Sequence, residues 1–146
     1  MAEHTDLGHL GTELRGRGEQ LTVYLGRLKS QASPPSHIAR GHFRHDGDTL
    51  YLRYGYSATA GGLAITLASI DVDEAHQGQG RFSNYLATIE TFAKAEGLNI
   101  LVECVVNPFL PTALLRRGYQ KASISPDDLT NNFCKTLQPS LQVRVR

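Results

Sequence analysis

The sequence has two cysteines, almost no net charge and no long apolar run. Cys104 and Cys134 provide neither a disulfide framework nor a zinc site, and this cysteine usage fits a reducing cytoplasm. A formal net charge of +1 argues against a general polyanion binder, so we do not expect a nucleic-acid partner. No apolar run approaches the roughly 20 residues that a membrane span needs, and the first residues lack a signal-peptide pattern.

The chain has the size and composition of one globular domain. Its 146 residues are 40% hydrophobic and 20% charged, which predicts a single domain over 1–146. Apolar residues recur at helical spacing between Leu7 and Leu28, which predicts one long helix or two short ones broken near 16–18. We therefore expect an N-terminal helical region and linker over 1–36 and a tail over 138–146.

The middle of the chain alternates between strand and helix patterns. Asp46-Gly47 lies between two β-compatible runs and predicts a hairpin, with a further strand over 63–72. Apolar positions from Phe82 onward mark one face of a helix that Gly97 ends. An apolar strand over 100–106, a short helix ending at Gly118, an extended piece from Tyr119 and a last strand over 132–137 follow. The order predicts an α/β fold with a mixed sheet flanked by helices.

Histidines in the hairpin region suggest a metal site at first sight. His37, His42 and His45 are five and three residues apart, and a strand places residues on one face only at even offsets. We therefore expect no metal.

The segment between the strand over 63–72 and the following helix is rich in glycine. Gln77-Gly78-Gln79-Gly80 leads directly into the helix that begins near Phe82. Glycine lets the backbone approach a ligand closely, and a helix N-terminus offers free N–H groups and a positive dipole end to an anion. The pattern therefore predicts a cradle for a pyrophosphate.

This segment resembles the strand, loop and helix of the GNAT-type N-acetyltransferases. The family pattern is Arg/Gln-x-x-Gly-x-Gly/Ala at the start of its central helix, and residues 72–80 match its strand-to-loop segment. Asn107 and Gly118-Tyr119 lie at the offsets of the family's asparagine and Gly-aromatic pair. The resemblance covers about 49–137, with an acetyl-CoA-binding core over 63–120. It implies antiparallel hairpin strands followed by a parallel pair around a cofactor cleft.

The resemblance implies acetyl transfer from acetyl-CoA to an amine. The pyrophosphate would bind backbone N–H groups from Gln79 to about Ser83, and the pantetheine arm would run along Ile70 and Val72. The residues that the resemblance assigns to the coenzyme are Ile70, Val72, Gln77, Gly78, Gln79, Gly80, Arg81, Phe82, Ser83 and Asn107. No metal is implied, and family members are often homodimers.

Departures from the family pattern leave the catalytic residues open. Phe82 replaces the closing Gly/Ala of the loop, and we expect its ring to turn into the core. Leu114 stands where many members carry a tyrosine as general acid, so either no side-chain acid is used or a residue such as Tyr119 supplies it. Thr66 stands where other members carry a base glutamate. No strand is evident before the N-terminal helix, although the family begins with one.

Glu103 and Asn107 are the candidate catalytic residues. A carboxylate within an apolar strand is costly unless it is paired, so Glu103 is a general base, the partner of an arginine such as Arg53 or Arg116, or a residue at an exposed strand end. Asn107 fits both a helix cap and a position near the pantetheine. The alternative to an N-acetyltransferase is a GNAT-fold module that acts through coenzyme binding or protein contacts. The acceptor, as a small molecule, protein or modified nucleotide amine, stays open.

Overall fold

The computed structural model describes residues 14–17, 20–32, 38–103, 110–122 and 131–136. Within these residues seven strands form one sheet in the order β1-β2-β3-β4-β5-β7-β6. The strands are β1 Leu14–Arg17, β2 Ala39–His45, β3 Asp48–Ser57, β4 Gly62–Asp71, β5 Asn99–Val102, β6 Gln120–Ala122 and β7 Asn132–Lys135. The helices are α1 Leu21–Gln31, α2 Arg81–Glu96 and α3 Leu110–Arg116.

The sheet is mixed, as predicted. The pairs β1–β2 and β4–β5 are parallel, and the remaining neighbours are antiparallel. The predicted hairpin is β2–β3, and both residues of its turn are left-handed, with φ of 53° at Asp46 and 89° at Gly47. Two positive φ values are those of the turn that matches the twist of hairpin strands. The antiparallel strands followed by a parallel pair are therefore confirmed.

The prediction of one long helix, or of two short ones broken near 16–18, is wrong for residues 14–17. Residues 14–17 form β1, which pairs in parallel with β2, and the helix begins only at Leu21. The helix-spaced leucines before residue 21 misled the prediction because a four-residue strand at a sheet edge depends on its neighbour rather than on its own pattern. A strand does precede the helix, contrary to the expectation that none does.

The main core lies between one face of the sheet and helices α1 and α2. Helix α1 buries Leu21, Tyr24, Leu25 and Leu28, and helix α2 buries Tyr85, Leu86, Ile89 and Ala93. The two helices are joined by an ion pair in which Lys29 Nζ lies 2.6 Å from Glu96 Oε1. The predicted end of α2 is confirmed, since Gly97 caps it with a φ of 72°.

The opposite face of the sheet carries a small second cluster of Ala60, Ala64 and Leu101, with Cys134 against it. Ala64 and Leu101 alternate with core residues along their strands, which places them on the other side.

The later elements follow the predicted order. The strand predicted over 100–106 is described as Asn99–Val102, and the last strand begins at Asn132 as predicted. Helix α3 ends before Gly118, whose φ is 94°. Residues 104–109, which include Cys104 and Asn107, lie outside the described residues, as do residues 1–13, His37 and the predicted tail.

Candidate functional site

The parallel strands β4 and β5 pair over only part of their length. Pairing runs from Ala64 beside Asn99 to Leu67 beside Val102, and the Glu103 N–H then donates to the Leu67 carbonyl at 3.0 Å. Strand β4 continues to Asp71, and in the described part of the chain its residues 69–71 pair with β3 alone. Among the described residues, β4 therefore has a strand on one side only beyond Leu67.

A β-bulge in β4 follows its last described pair with β5. Leu67 pairs with Leu52, whereas Ser69 pairs with Tyr51, so Ala68 is an extra residue in β4. A bulge bends its strand and increases the local twist, so the direction of β4 changes at this point.

The glycine loop follows β4. Val72 and Asp73 lead into a short turn over Glu74–His76, and residues 77–80 then reach α2. Gly78 and Gly80 have φ values of 82° and 76°, and a Cβ added at either would meet nothing within 4 Å. Glycine is thus required by the backbone conformation, while the space outside the loop is open.

Side chains of the loop fold back on its own backbone. Gln77 Nε2 donates to the Val72 carbonyl at 3.1 Å, and Gln79 Nε2 donates to the Ala75 carbonyl at 3.2 Å. The Ala75 N–H donates to Asp73 Oδ1 at 3.0 Å. The two glutamines shape the loop, and in the structure their amides are directed at its carbonyl groups.

The first turn of α2 keeps its backbone N–H groups uncapped. Gly80 is the cap residue and has no side chain to offer, and the first helical bond runs from the Asn84 N–H to the Gly80 carbonyl at 3.0 Å. The N–H groups of Arg81, Phe82 and Ser83 therefore have no partner within the helix. With no acidic residue in this turn, the positive end of the helix dipole is suited to an anion.

Phe82 and Arg81 turn their side chains away from this anion site. The half-buried Phe82 ring packs against the main core, which confirms the expectation for this departure from the family pattern. The Arg81 guanidinium lies 2.8 Å from Asp46 Oδ2 and 3.4 Å from Asp48 Oδ2. These carboxylates raise the pKa of Arg81, and the hydrogen bond to Asp46 is the largest cause.

Asp48 is a fully buried carboxylate at the start of β3. It accepts hydrogen bonds from the Asp73 N–H at 2.7 Å and from the Tyr85 hydroxyl at 2.5 Å. Burial, and then the bond and charge of Asp48, raise the pKa of Tyr85 to about 12. The sequence analysis missed this residue, although its position carries a signal: Asp48 shares the strand face of the buried Leu50 and Leu52.

Glu103 directly follows β5. Its Oε2 atom is 2.6 Å from Arg53 Nη2, and its side chain is 25% exposed. Arg53 lies opposite the buried Thr66 in the sheet. The predicted pair with Arg53 is therefore confirmed, and the general-base role stays a prediction.

Leu114 and Tyr119 are core residues. Leu114 is fully buried, and the Tyr119 ring is 1% exposed with Lys135 Nζ 5.5 Å from its centroid. Among the described residues nothing accepts a hydrogen bond from the Tyr119 hydroxyl. Burial, and then the charge of Glu90, raise the pKa of Tyr119 well above its ordinary value. These surroundings are those of a packing residue.

The described residues contain no group of three or more His, Cys, Asp or Glu side chains that can hold a metal ion. None of their helices is long and apolar enough to cross a membrane.

Comparison with known proteins finds similarity at the level of solved structures. No family model and no curated protein matches the sequence. One matching structure is a mutant of the AtaT toxin bound to the C-terminus of the antitoxin AtaR and acetyl-CoA, at 18% identity and a TM-score of 0.46. That match covers 62% of this chain and 58% of the toxin chain, so this chain spans less than two thirds of AtaT.

Two other matches are similar in extent. Nourseothricin acetyltransferase is 20% identical with a TM-score of 0.41, and the match covers 63% of this chain and 60% of that chain. A protein from Agrobacterium tumefaciens assigned as an acetyltransferase is 17% identical with a TM-score of 0.46, covering 77% of this chain and 84% of that chain. Strand β4 pairs in parallel with β5 and leads into a glycine loop and helix α2, which is the arrangement that the resemblance to GNAT-type N-acetyltransferases implies.

Proposed function

We propose that this protein transfers an acetyl group from acetyl-CoA to an amine. The observation that carries the proposal is the continuity of three features in the described residues: the edge of β4 over 69–71 that has no described partner opposite β3, the glycine loop over 77–80, and the uncapped first turn of α2. An extended arm that ends in a pyrophosphate fits these features in that order, because an open strand edge pairs with amides and a helix N-terminus binds phosphate.

The pantetheine arm would lie along Ile70 and Val72, and the pyrophosphate would bind the N–H groups of Arg81, Phe82 and Ser83. The open space outside Gly78 and Gly80 supports this placement, since a Cβ at either glycine would meet nothing. Gln77 and Gln79 would act through the loop conformation that their side chains stabilise. Asn107 is proposed near the arm on the resemblance alone.

The reaction proposed is direct transfer without an acyl-enzyme. An amine is protonated at neutral pH, so a base must first take its proton, and Glu103 is the candidate. The amine nitrogen then attacks the thioester carbonyl carbon and the C–N bond forms. The nitrogen gives up its second proton as the C–S bond breaks, and coenzyme A leaves as a thiolate that takes up this proton, so the products are the amide and the free thiol. Positioning supplies much of the rate enhancement in such a scheme. The amine class of the acceptor, a cytoplasmic location and a homodimer stay predictions.

Calorimetric titration with acetyl-CoA tests the donor site, with coenzyme A as the comparison ligand. We expect a Kd in the micromolar range, which is ordinary for an enzyme substrate. Ser83→Glu places a negative charge in the first turn of α2, so we expect binding about tenfold weaker from charge repulsion. The same change favours the helix dipole, so the free energy of unfolding should stay equal or rise by about 0.3–1 kcal/mol.

Thr91→Glu is the matched control, since Thr91 is exposed on the same helix beyond its first turn. It should leave the affinity for acetyl-CoA unchanged. Equal affinities of both variants and the wild type would contradict the placement of the pyrophosphate, and no binding by the wild type would remove the donor itself.

A module that binds the coenzyme without catalysis is the second candidate. Two observations favour it: Glu103 is paired with Arg53, and Leu114 fills the place of the tyrosine acid. Release of the free thiol of coenzyme A, measured across a panel of amines, separates the two functions. Acetyl-CoA binding with no thiol release from any amine would favour the module.

A further inference from the structure

The buried Asp48 carboxylate connects parts of the chain that are far apart in sequence. It is fully buried, and burying a charge is costly unless donors surround it. Asp48 follows the hairpin turn, and its partners lie in two other places: the segment that follows β4 and the first turns of α2. The hairpin therefore reaches the region of the glycine loop through one side chain.

The donors bracket the glycine loop from both sides. The Asp73 N–H, 2.7 Å from Asp48 Oδ1, lies before the loop. The Tyr85 hydroxyl, 2.5 Å from Asp48 Oδ2, and Arg81 Nη1, 3.4 Å from the same oxygen, lie after it. One carboxylate thus fixes the start and the end of the segment 73–85, while residues 77–80 between them are exposed.

The hairpin turn itself lies directly against the same segment. A Cβ added at Gly47 would stand 2.2 Å from Asp73 Oδ2, so only glycine fits there. Arg81 also binds Asp46 in this turn at 2.8 Å. These contacts are independent of Asp48, and they show that the turn is built against the two ends of the loop.

We infer that Asp48 is a positioning residue: it holds the glycine loop and the first turn of α2 in the conformation that presents the N–H groups of Arg81, Phe82 and Ser83. The anionic ligand of those groups rests on the proposed function, and the positioning itself does not. Asp48 is fully buried and acts through Asp73, Arg81 and Tyr85. If the role of this carboxylate were purely structural, its removal would destabilise the whole fold and would not affect the loop preferentially.

Hydrogen exchange of the ligand-free protein tests the inference without any coenzyme. Asp48→Asn keeps the shape and removes the charge, and Tyr85→Phe removes one donor while Asp48 stays in place. The matched control is Glu90→Gln. Glu90 lies on the same helix as Tyr85, and the substitution weakens its half-buried ion pair with Arg117. At conditions of equal global stability, we expect Asp48→Asn to speed exchange over 72–84 at least tenfold relative to the control, with a smaller effect of the same sign for Tyr85→Phe.

The affinity for acetyl-CoA gives the second measurement. Asp48→Asn should weaken binding at least fivefold, and Glu90→Gln should leave it unchanged. Exchange over 72–84 that rises no more in Asp48→Asn than in the control would overturn the inference. If the wild type binds no acetyl-CoA, the proposed function fails, whereas the exchange comparison still decides the role of Asp48. If Asp48→Asn does not fold, Tyr85→Phe against Glu90→Gln decides it.

Discussion

At the scale of single residues, Glu103 has the position and the chemistry of a base but is already paired. It follows the last residue of β5, and its N–H donates to the Leu67 carbonyl of β4. Its carboxylate lies 2.6 Å from Arg53. A base at this point lies beside the strand edge along which the acyl arm is proposed to run.

Glu103→Gln tests the base role because it keeps the shape and removes the proton acceptor. If Glu103 takes the proton of the amine, we expect kcat to fall by about 10²–10⁴-fold with the Kd for acetyl-CoA unchanged. Turnover with an amine acceptor and calorimetry on the same preparation measure the two quantities.

Arg53→Gln is the companion variant. It breaks the same ion pair and leaves the carboxylate in place, so it should retain most of the turnover that Glu103→Gln loses. Equal turnover in both variants and the wild type, together with equal losses in melting temperature, would show that the pair is structural and remove Glu103 from the mechanism.

The residues of the site differ in how far the sequence predicts them. The partners of Glu103 were predictable because a charge in an apolar strand requires one, and Arg53 was among the two candidates. The inward turn of Phe82 was predictable because its side chain is large and apolar. Asp48 was not recognised, since its donors lie 25 and 37 residues away and only the folded sheet brings them together.

At the scale of elements, the middle of helix α2 is held by the ion pair of Glu90 with Arg117. Arg117, just after α3, binds Glu90 through two bonds, from Nε at 3.0 Å and from Nη2 at 2.7 Å. Lys135 of β7 donates to the Arg117 carbonyl at 2.6 Å. The cluster of Glu90, Arg117 and Lys135 therefore ties α2, α3 and β7 together.

This cluster predicts a pH dependence of stability. Burial acts to raise the pKa of Glu90, but hydrogen bonds from Arg117 and the charges of Lys135 and Arg117 outweigh it, so the pKa lies below its ordinary 4.5. A lowered pKa in the folded state gives stability that is complete above the unfolded value and is lost as pH falls through the folded value. We expect Glu90→Gln to cost about 1–2 kcal/mol at pH 7.

Chemical denaturation between pH 7 and pH 3 measures this effect. The difference in the free energy of unfolding between wild type and Glu90→Gln should shrink as the pH falls below 4.5, since the wild-type carboxylate then takes up its proton. A difference that stays constant over this range would show that the charge of Glu90 contributes nothing.

Elements with local signals were predicted, and elements that depend on distant neighbours were not. The hairpin follows from Asp46-Gly47, whose two positive φ values suit those residue types. The four residues of β1 carry no such signal, because their strand conformation is stabilised by pairing with residues 41–44 of β2. The insertion of β7 between β5 and β6 is likewise a long-range pairing that no local pattern specifies.

At the scale of the whole molecule, one main core joins all three described helices to the sheet, so we expect the domain to unfold in a single transition. Ile89→Ala removes a fully buried side chain of α2 and should cost about 2–5 kcal/mol. The chain has no tryptophan and six tyrosines, so tyrosine fluorescence and far-UV circular dichroism are the two signals to compare.

Val23→Ala is the control for this measurement, since Val23 lies on α1 and is 54% exposed. It should change the free energy of unfolding by no more than about 0.5 kcal/mol. Fluorescence and dichroism midpoints that separate in Ile89→Ala would mean that the helices and the sheet do not unfold together.

The unequal lengths of β4 and β5 also bear on self-association of the protein. Unpaired strand edges recruit strands of other molecules, and proteins commonly shield them at the rim of a sheet. Here β4 lies inside the sheet, with β3 on one side and β5 on the other. Because β5 pairs with residues 64–67, the described residues leave only 69–71 of β4 paired on a single side, and a very short edge of this kind limits strand pairing between molecules.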